Sequence, residues 1–361
     1  MTKLRPPTIA DVACHAGVSK TAVSRYLNGN LNLPSATASR IDRAVLNLNY
    51  RPNRSARGLK RGRTDALGLV VPDIGNPFYG ALASYVELEA ESAGFSLTLY
   101  SSRNRVEREL LFLEQQGSRP VDGLIFLTNH SGNGLLSEKM NGQDRLVVLD
   151  EDVPSTSTPK VFVDNERGGY EATRCLTEIG HRQIAHITGP RNLFSVRARC
   201  AGYKRALREA GIEPDGSLIH YGSYTPGCGR EAIDQLFRQR LAPTAIFASS
   251  DYIVVGILES FRDRKITVPA DISVVGFDDL VFTRLLDPPV TTVRQPIAEL
   301  AQVGVKLLLD CINGVSRRGE VIRLPVELVK RSSVAPPKDN AAKRQSPAGH
   351  FPVPKRRINN E

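Results

Sequence analysis

Lys20, Thr21, Ser24 and Arg25 fall on one side of a short helical stretch, opposite Val23, Tyr26 and Leu27. An arginine such as Arg25 can hold a guanine edge through two parallel hydrogen bonds, while Lys20 and Thr21 can distinguish neighbouring base pairs through guanine acceptors or a thymine methyl group. Further along, a second set of polar residues follows apolar runs. These are Asp73, Asn76, Phe78 and Tyr79 in VVPDIGNPFYG, Asp150 in LVVLDED, Arg199 in RCAGY, Ser250 and Asp251 in SSDY, Asp278 in GFDD and Gln295 in VRQP. Ligands of open α/β sheets bind just beyond strand ends. Carboxylates, amides and an arginine beside aromatic faces suit sugars, because each hydroxyl donates and accepts while the C–H face packs on a ring. Plainer readings stand beside these. The basic head also fits a three-helix protein-interaction domain, strand-end Asp residues often cap helices, and Phe78 or Tyr79 also suits a core. Asp73, Asp251 and Asp279 suit capping or lobe-bridging as well as ligand binding.

The elements that must hold these side chains follow from periodicity. Thr8 precedes Ile9, Val12, Ala13 and Ala16 at helical spacing, Asp11 completes a capping pattern, and Gly17 marks a stop. Ser19 caps a second stretch that carries Ala22, Val23, Tyr26 and Leu27 and ends at Asn28-Gly29. A third begins at Pro34-Ser35, carries Ala38, Ile41, Val45 and Leu48 on one face, and ends at Tyr50-Arg51-Pro52, since Pro52 disfavours helix in the residue before it. The segment NRSARGLKRGR from Asn53 is short and interrupted by Gly58, which costs a helix about 1 kcal/mol. It reads as a helix that forms only with support.

From Ala66 onward ten apolar runs alternate with amphipathic stretches, among them ALGLVVPD before a helix over about 77–93 and FSLTLYSS before one over about 105–117. The later runs are GLIFLTN, RLVVLDE, KVFVDN, RQIAHITGP, LIHYG, TAIFASSD, ISVVGFDD and VTTVRQP. Alternation of strand and helix implies parallel sheets, and this many units implies two similar lobes. Residues 338–361 are rich in Pro, Lys, Arg and Asn without apolar periodicity, so a disordered basic tail is expected and a heptad assembly helix is not.

Charge sharpens the division. The first 64 residues hold twelve Lys/Arg and two Asp/Glu, whereas residues 65–337 hold 30 basic and 34 acidic groups and the tail is +4. The whole net charge of +10 therefore equals that of the head. Five scattered Cys, none spaced C-x-x-C, suggest neither a disulfide framework nor a zinc site. No signal peptide and no apolar run near 20 residues is visible, so a cytoplasmic protein without a membrane segment is expected. G-x-x-x-x-G-K-[ST], G-x-S-x-G and H-E-x-x-H are all absent, and Gly227-Cys228-Gly229 lacks the rest of a dinucleotide fingerprint. The body reads as a binding domain, not an enzyme, with no cofactor and no metal. The isolated His181 reads as part of a helix-to-strand turn.

TIADVACHAGVSKTAVSRYLNG followed by YRPNRSARGLKRGRT closely resembles the N-terminal signature of the LacI/GalR family of bacterial transcription regulators, and the likeness continues over roughly residues 8–337. The resemblance implies an all-α helix-turn-helix head over 1–52, a hinge helix and linker over 53–64, and a two-lobed α/β effector domain like the periplasmic sugar-binding proteins over 65–337. It places Lys20, Thr21 and Arg25 at base-reading positions, and Thr8, Ser19, Ser24, Asn28, Thr37 and Tyr50 at positions that touch or buttress the DNA backbone. Asn53, Ala56 and Leu59 match the hinge helix, whose leucine wedges into the minor groove. Such a wedge needs paired hinges, hence a homodimer on a near-palindromic double-stranded operator. In the body the resemblance supports an effector pocket containing Asn76, Phe78, Asp150, Arg199, Asp278 and Gln295, with Asp251 as a further candidate.

Two residues depart from the family pattern. Ala22 stands where a phosphate-binding Thr is common and Ala38 where an Arg often follows Thr37. Phosphate contacts position a protein and base contacts specify its site, so these departures should lower affinity rather than alter operator choice. Arg54, Arg57, Lys60, Arg61 and Arg63 offer electrostatic compensation. The expectation is a repressor of carbohydrate uptake or catabolism genes, controlled by a small sugar-like effector. The alternatives are a carbohydrate-binding protein without a DNA role, or a regulator sensing a sugar acid, sugar phosphate or purine.

Overall fold

The computed structural model describes residues 7–27, 31–50, 63–114, 121–130 and 134–338 of the 361. The chain divides into two compact units, Met1–Thr64 and Asp65–Glu361. Asn28, Gly58, the hinge positions Asn53, Ala56 and Leu59, the cations Arg54, Arg57, Lys60 and Arg61, and the tail beyond Lys338 lie outside the described residues.

In the first unit, helices α1 (Ile9–Ala16), α2 (Lys20–Leu27) and α3 (Ser35–Asn47) enclose a small core of Val12, Ala13, Ala16, Val23, Ile41 and Ala44. Asp11 secures the start of α1 by accepting from both the backbone N–H and the hydroxyl of Thr8, each at 2.7 Å. Gly17 ends the helix with φ of 63°, a conformation that costs glycine little. The turn is braced by Arg40, which donates to the Gly17 carbonyl at 3.2 Å, and the Tyr26 hydroxyl ties α2 to α3 by donating to Asp42 at 3.0 Å. Helix α3 stops at Asn47, earlier than the Tyr50-Arg51-Pro52 limit read from the sequence, and Asn49 turns to a φ of 46°.

The second unit runs β1 (Ala66–Val71), α4 (Pro77–Ser92), β2 (Ser96–Ser101), α5 (Val106–Glu114), β3 (Gly123–Phe126), α6 (Leu135–Asn141), β4 (Leu146–Leu149) and β5 (Lys160–Val163). It continues α7 (Asn165–Thr177), β6 (Ile184–Thr188), α8 (Phe194–Glu209), β7 (Ile219–Tyr221), α9 (Pro226–Arg238), β8 (Ala245–Ala248), α10 (Asp251–Arg264), β9 (Ser273–Asp278) and β10 (Thr291–Arg294). It closes with α11 (Ile297–Ile312), β11 (Val321–Leu324) and β12 (Glu327–Val329). The described strands form two six-stranded sheets, ordered β11-β5-β4-β3-β1-β2 and β12-β10-β9-β8-β6-β7. All neighbours run parallel except β10 and β12. The inner strands are buried on both faces, as in ALGLVV of β1, which is why they read as continuous apolar runs.

Each sheet with its helices is one lobe, and the chain passes between lobes three times. After β5 it leaves through Asp164 for α7, after β10 it returns through Gln295-Pro296 to α11, and Pro325-Val326 joins β11 to β12. Strands β11 and β12 are additional to the ten apolar runs. They are edge strands with exposed alternate residues, and Pro325 separates them, so neither shows a buried run.

Helices α7 and α8 meet backbone to backbone. A Cβ on Gly169 would lie 2.1 Å from the Arg199 carbonyl oxygen, and one on Gly202 would lie 2.0 Å from that of Glu166. Only glycine permits this approach, and it fixes the height at which Arg199 leaves α8.

Candidate functional site

On the first unit, Lys20, Thr21 and Arg25 are exposed on α2, while Val23 of the same helix is fully buried. Ser24 is half-buried beside them. The hydroxyl of Ser19 accepts from Ala22 N–H at 3.1 Å and so caps the exposed end of α2. Thr8 is half-buried in the capping pair with Asp11, and Thr37 and Tyr50 are half-buried at the two ends of α3, with Tyr50 packed on the core. The result is a short helix whose outward face carries two cations and two hydroxyls. Its length and chemistry suit a major groove.

In the second unit, a narrow cleft lies between the two sheets. Asn76, Phe78 and Tyr79 reach it from the start of α4, Asn129 from beyond β3, and Asp150 and Glu151 from beyond β4. The opposite lobe contributes Ser195 and Arg199 of α8, Tyr224, Ser250, Asp278 and, at a crossover, Gln295. Backbone strain marks two of these strand ends, with φ of 69° at Asp150 and 120° at Asp278.

Asp278 is the hub of the second lobe's wall. Its Oδ1 accepts from Gln295 Nε2 at 2.7 Å and its Oδ2 from the Ser250 hydroxyl at 2.9 Å. Arg199 is fixed by donating to Asn165 Oδ1 at 2.8 Å and to the Ser249 carbonyl at 2.5 Å, with its guanidinium carbon 3.7 Å from the centre of the Phe277 ring. On the first lobe, Phe78 and Tyr79 meet edge to face at 5.5 Å, and the Tyr79 hydroxyl donates to Asn129 at 3.0 Å.

Two hydrogen-bonded contacts bridge the lobes beside the cleft, and the rings of Phe162 and Phe194 meet across the same boundary at 5.2 Å. Glu151 accepts from the Ser195 hydroxyl at 2.6 Å and from its N–H at 3.1 Å, and Asn76 Nδ2 donates to the Tyr224 carbonyl at 3.3 Å. Three buried polar atoms of the cleft have no protein partner: Asp150 Oδ1, Gln295 Oε1 and Tyr224 Oη. Burial pushes Asp150 up to about 6, against the pull of Arg199, and pushes Asp278 up to about 6 against the same cation. Glu151 rises to about 7, again through burial, although its bonds to Ser195 favour the charged form. At neutral pH the lining thus holds two mostly ionised carboxylates and a third near its midpoint, against one guanidinium. This wall offers acceptors to a ligand rich in donors and repels anions.

The candidates read from the sequence divide. Asn76, Phe78, Asp150, Arg199, Ser250, Asp278 and Gln295 line the cleft. Asp251 does not: it is fully buried, with Oδ1 accepting from the Thr292 hydroxyl at 2.7 Å and Oδ2 from Leu280 N–H at 2.8 Å, so both oxygens hold the sheet to the loop after β9. Its carboxyl is pushed well above the usual range by burial and by Asp278. Asp73 accepts from Gly75 N–H in a turn, and Asp279 pairs with Arg294 and Arg331 within the second lobe. His181 sits in the turn between α7 and β6, bonded to Thr244, Ser273 and Ala335.

Asn129, Glu151, Ser195 and Tyr224 are cleft residues the sequence reading omitted. Asn129 and Glu151 obey the same strand-end rule as Asp150, whereas Ser195 and Tyr224 lie at helix starts and carry no comparable signal. Among the described residues, no group of three His, Cys, Asp or Glu is placed to hold a metal, and no helix is long and apolar enough to cross a membrane.

Comparison with known proteins bears on both units. A family model described as bacterial regulatory proteins, lacI family, matches residues 8–53, and one described as a periplasmic binding protein-like domain matches residues 173–334. The HTH-type transcriptional regulator DegA of Bacillus subtilis (strain 168) is 36% identical over 332 residues, covering 91% of this chain and 98% of its own. The transcriptional regulator CelR in its cellobiose complex is 32% identical with a TM-score of 0.69, over 91% of this chain and all of that one. The lac repressor dimer bound to operator and the anti-inducer ONPF is 27% identical with a TM-score of 0.81, over 91% and 99%.

Proposed function

The chain belongs to the lacI family of bacterial regulatory proteins, a family of ligand-responsive DNA-binding transcriptional regulators and not of enzymes, and from that premise we propose that it represses genes of carbohydrate uptake or catabolism under the control of a small neutral sugar. The observation that carries the ligand class is the set of unpartnered cleft atoms, Asp150 Oδ1, Gln295 Oε1 and Tyr224 Oη, in a lining with three carboxyl groups and one guanidinium. Two acceptors and a phenol call for a ligand with several hydroxyls, and the carboxylates select against sugar acids and sugar phosphates. The Phe78 and Tyr79 faces suit a sugar's C–H surface. The cellobiose bound by CelR supports the same class.

The proposed head is residues 1–52 with Lys20, Thr21 and Arg25 reading bases and Thr8, Ser19, Ser24, Asn28, Thr37 and Tyr50 on the backbone. Residues 53–64 form the hinge, with Asn53, Ala56 and Leu59, and residues 65–337 bind effector and partner. A homodimer is supported by exposed apolar side chains on both lobes. Tyr85 and Leu88 lie one turn apart on α4 near Leu99 of the edge strand β2, and Val281 and Leu285 are 65% and 76% exposed on the second lobe.

A sugar bridging Asp150 on one lobe to Tyr224, Asp278 and Gln295 on the other favours one lobe arrangement. Gln295 is itself part of a crossover, so ligand contact bears directly on a segment that must bend when lobes move. DNA and sugar then oppose or assist each other with equal and reciprocal coupling.

The test is a thermal-shift panel of monosaccharides, sugar acids, sugar phosphates and purines. A ligand at a hundred times its dissociation constant adds about 2.7 kcal/mol of stability. Neutral monosaccharides should shift the melt, with the effect lost in Asp278→Ala. A shift by acids, phosphates or purines alone would reject the sugar assignment while leaving the DNA-binding reading intact.

A further inference from the structure

The second lobe carries a concavity of about 590 Å³, separate from the cleft. Arg191, Arg197, Lys204 and Arg208 surround it, and Tyr221 and Cys200 are also part of its lining. No acidic side chain contributes. We propose that it is a second ligand site, for a phosphate ester of small-molecule size.

The arrangement is built by α8. Arg197, Ala201, Lys204 and Arg208 recur at intervals of four, three and four residues and so share one helical face. The same helix buries Val196, Arg199, Tyr203, Ala206 and Leu207 on its inward side. Arg197 donates to the Asn192 carbonyl at 2.7 Å, which folds the preceding loop against the helix. Arg191 then lies 4.6 Å over the ring of Tyr221, the last residue of the edge strand β7.

The charge of the concavity is uncompensated, in contrast to that of its immediate neighbours on α7 and α8. On α8 itself Arg205 pairs with Glu166 at 2.6 Å, and on α7 Arg174 pairs with Glu171 at 2.9 Å. None of the four cations of the concavity enters an ion pair among the described residues, although residues 65–337 carry more acid than base. Four like charges held around one hollow repel one another, and a dianion placed between them relieves that repulsion. Arginine forks match phosphate oxygens two at a time. The space exceeds what a phosphate ion fills, and Tyr221 with Ala201 and Cys200 offers a less polar surface to an attached sugar or base.

Occupancy here bears on the cleft through one rigid element. Cys200 adjoins Arg199, and α8 also carries Ser195, the partner of Glu151 in the other lobe. The two sites differ in sign: the cleft disfavours anions and the outer concavity attracts them. The inference is independent of the sugar assignment, because no cleft residue lines the second site.

Isothermal titration of the full chain with glucose 6-phosphate and AMP, each against glucose or adenosine and against inorganic phosphate, tests it. The expected result is saturable binding of at least one phosphate ester, with Kd below about 1 mM and at least tenfold tighter than its unphosphorylated counterpart. That binding should weaken at least tenfold in the double variant Arg197→Gln/Lys204→Gln and persist in Asp278→Asn. Retention of the wild-type melting temperature by the double variant excludes misfolding as the cause. The proposal is overturned if neither ester binds better than its counterpart or than inorganic phosphate. It is equally overturned if binding survives the double variant and disappears in Asp278→Asn, which would place the ester in the cleft. Weaker binding of duplex DNA by the double variant, with ester binding unchanged, would reassign the surface to nucleic acid.

Discussion

Replacement of Glu151 by Gln should favour the folded state more at alkaline than at acidic pH. Glu151 accepts two hydrogen bonds from Ser195 across the lobe boundary, yet burial pushes its carboxyl to about 7 from an ordinary value of 4.5. That displacement means the charged form is disfavoured in the folded state by about 3 kcal/mol. The sign follows from the raised value. Below pH 4.5 the group is protonated whether the chain is folded or unfolded, and no penalty exists. The penalty grows between pH 4.5 and 7 and is complete above 7, so stability falls as pH rises through this window. Glutamine never ionises and keeps an oxygen in the place of Oε2, which accepts from the Ser195 hydroxyl at 2.6 Å, while its NH2 in the place of Oε1 loses the bonds from the Ser195 and Asp152 N–H groups at 3.1 and 3.2 Å at every pH alike. With about 2 °C per kcal/mol for a domain of this size, the change in melting temperature caused by Glu151→Gln should be about 5 °C more favourable at pH 8 than at pH 5. Differential scanning calorimetry at the two pH values measures both. An equal shift at both pH values, or a shift less favourable at pH 8 than at pH 5, would refute the assignment of a strained ionised clasp.

Three further outcomes follow from particular contacts. Arg25→Ala should weaken binding to the selected operator by about 1–3 kcal/mol while leaving non-specific duplex affinity nearly unchanged, as read by fluorescence anisotropy. Gly169→Ala should destabilise by more than about 3 kcal/mol in chemical denaturation, because the new methyl group meets the Arg199 carbonyl at 2.1 Å. Asp278→Ala should lower cleft-ligand affinity at least a hundredfold by calorimetry, since it releases Gln295 and Ser250 together.

Much of this architecture is legible in the sequence because burial dictates it. Buried parallel strands must be apolar along their whole length, so eight of the twelve described strands stand out, while the edge strands β2 and β7 are only partly buried but still carry the runs FSLTLYSS and LIHYG, and β11 and β12, with Pro325 between them, escape. Thr8, Asp11 and Gly17 announce α1 through local hydrogen bonding and φ alone. The cleft is less legible. A strand-end Asp can face a ligand or the loop behind it, and Asp251 faces Thr292 and Leu280 while Asp278 faces the cleft. No local signal separates them, because the difference lies in partners 17 to 41 residues away. Ser195 and Tyr224 matter only because the crossovers bring one lobe against the other, which is a property of topology rather than of the segments that carry them.

The most direct test of the account is operator affinity with and without a saturating cleft ligand. A duplex selected by the protein from a randomised pool is titrated with the full chain, in the absence and presence of the monosaccharide that shifts its melt most. The account predicts at least a fivefold change in Kd, abolished by Asp278→Ala, with the same factor returned when sugar affinity is measured with and without operator. Identical affinities in both titrations would show that the cleft and the head are not coupled.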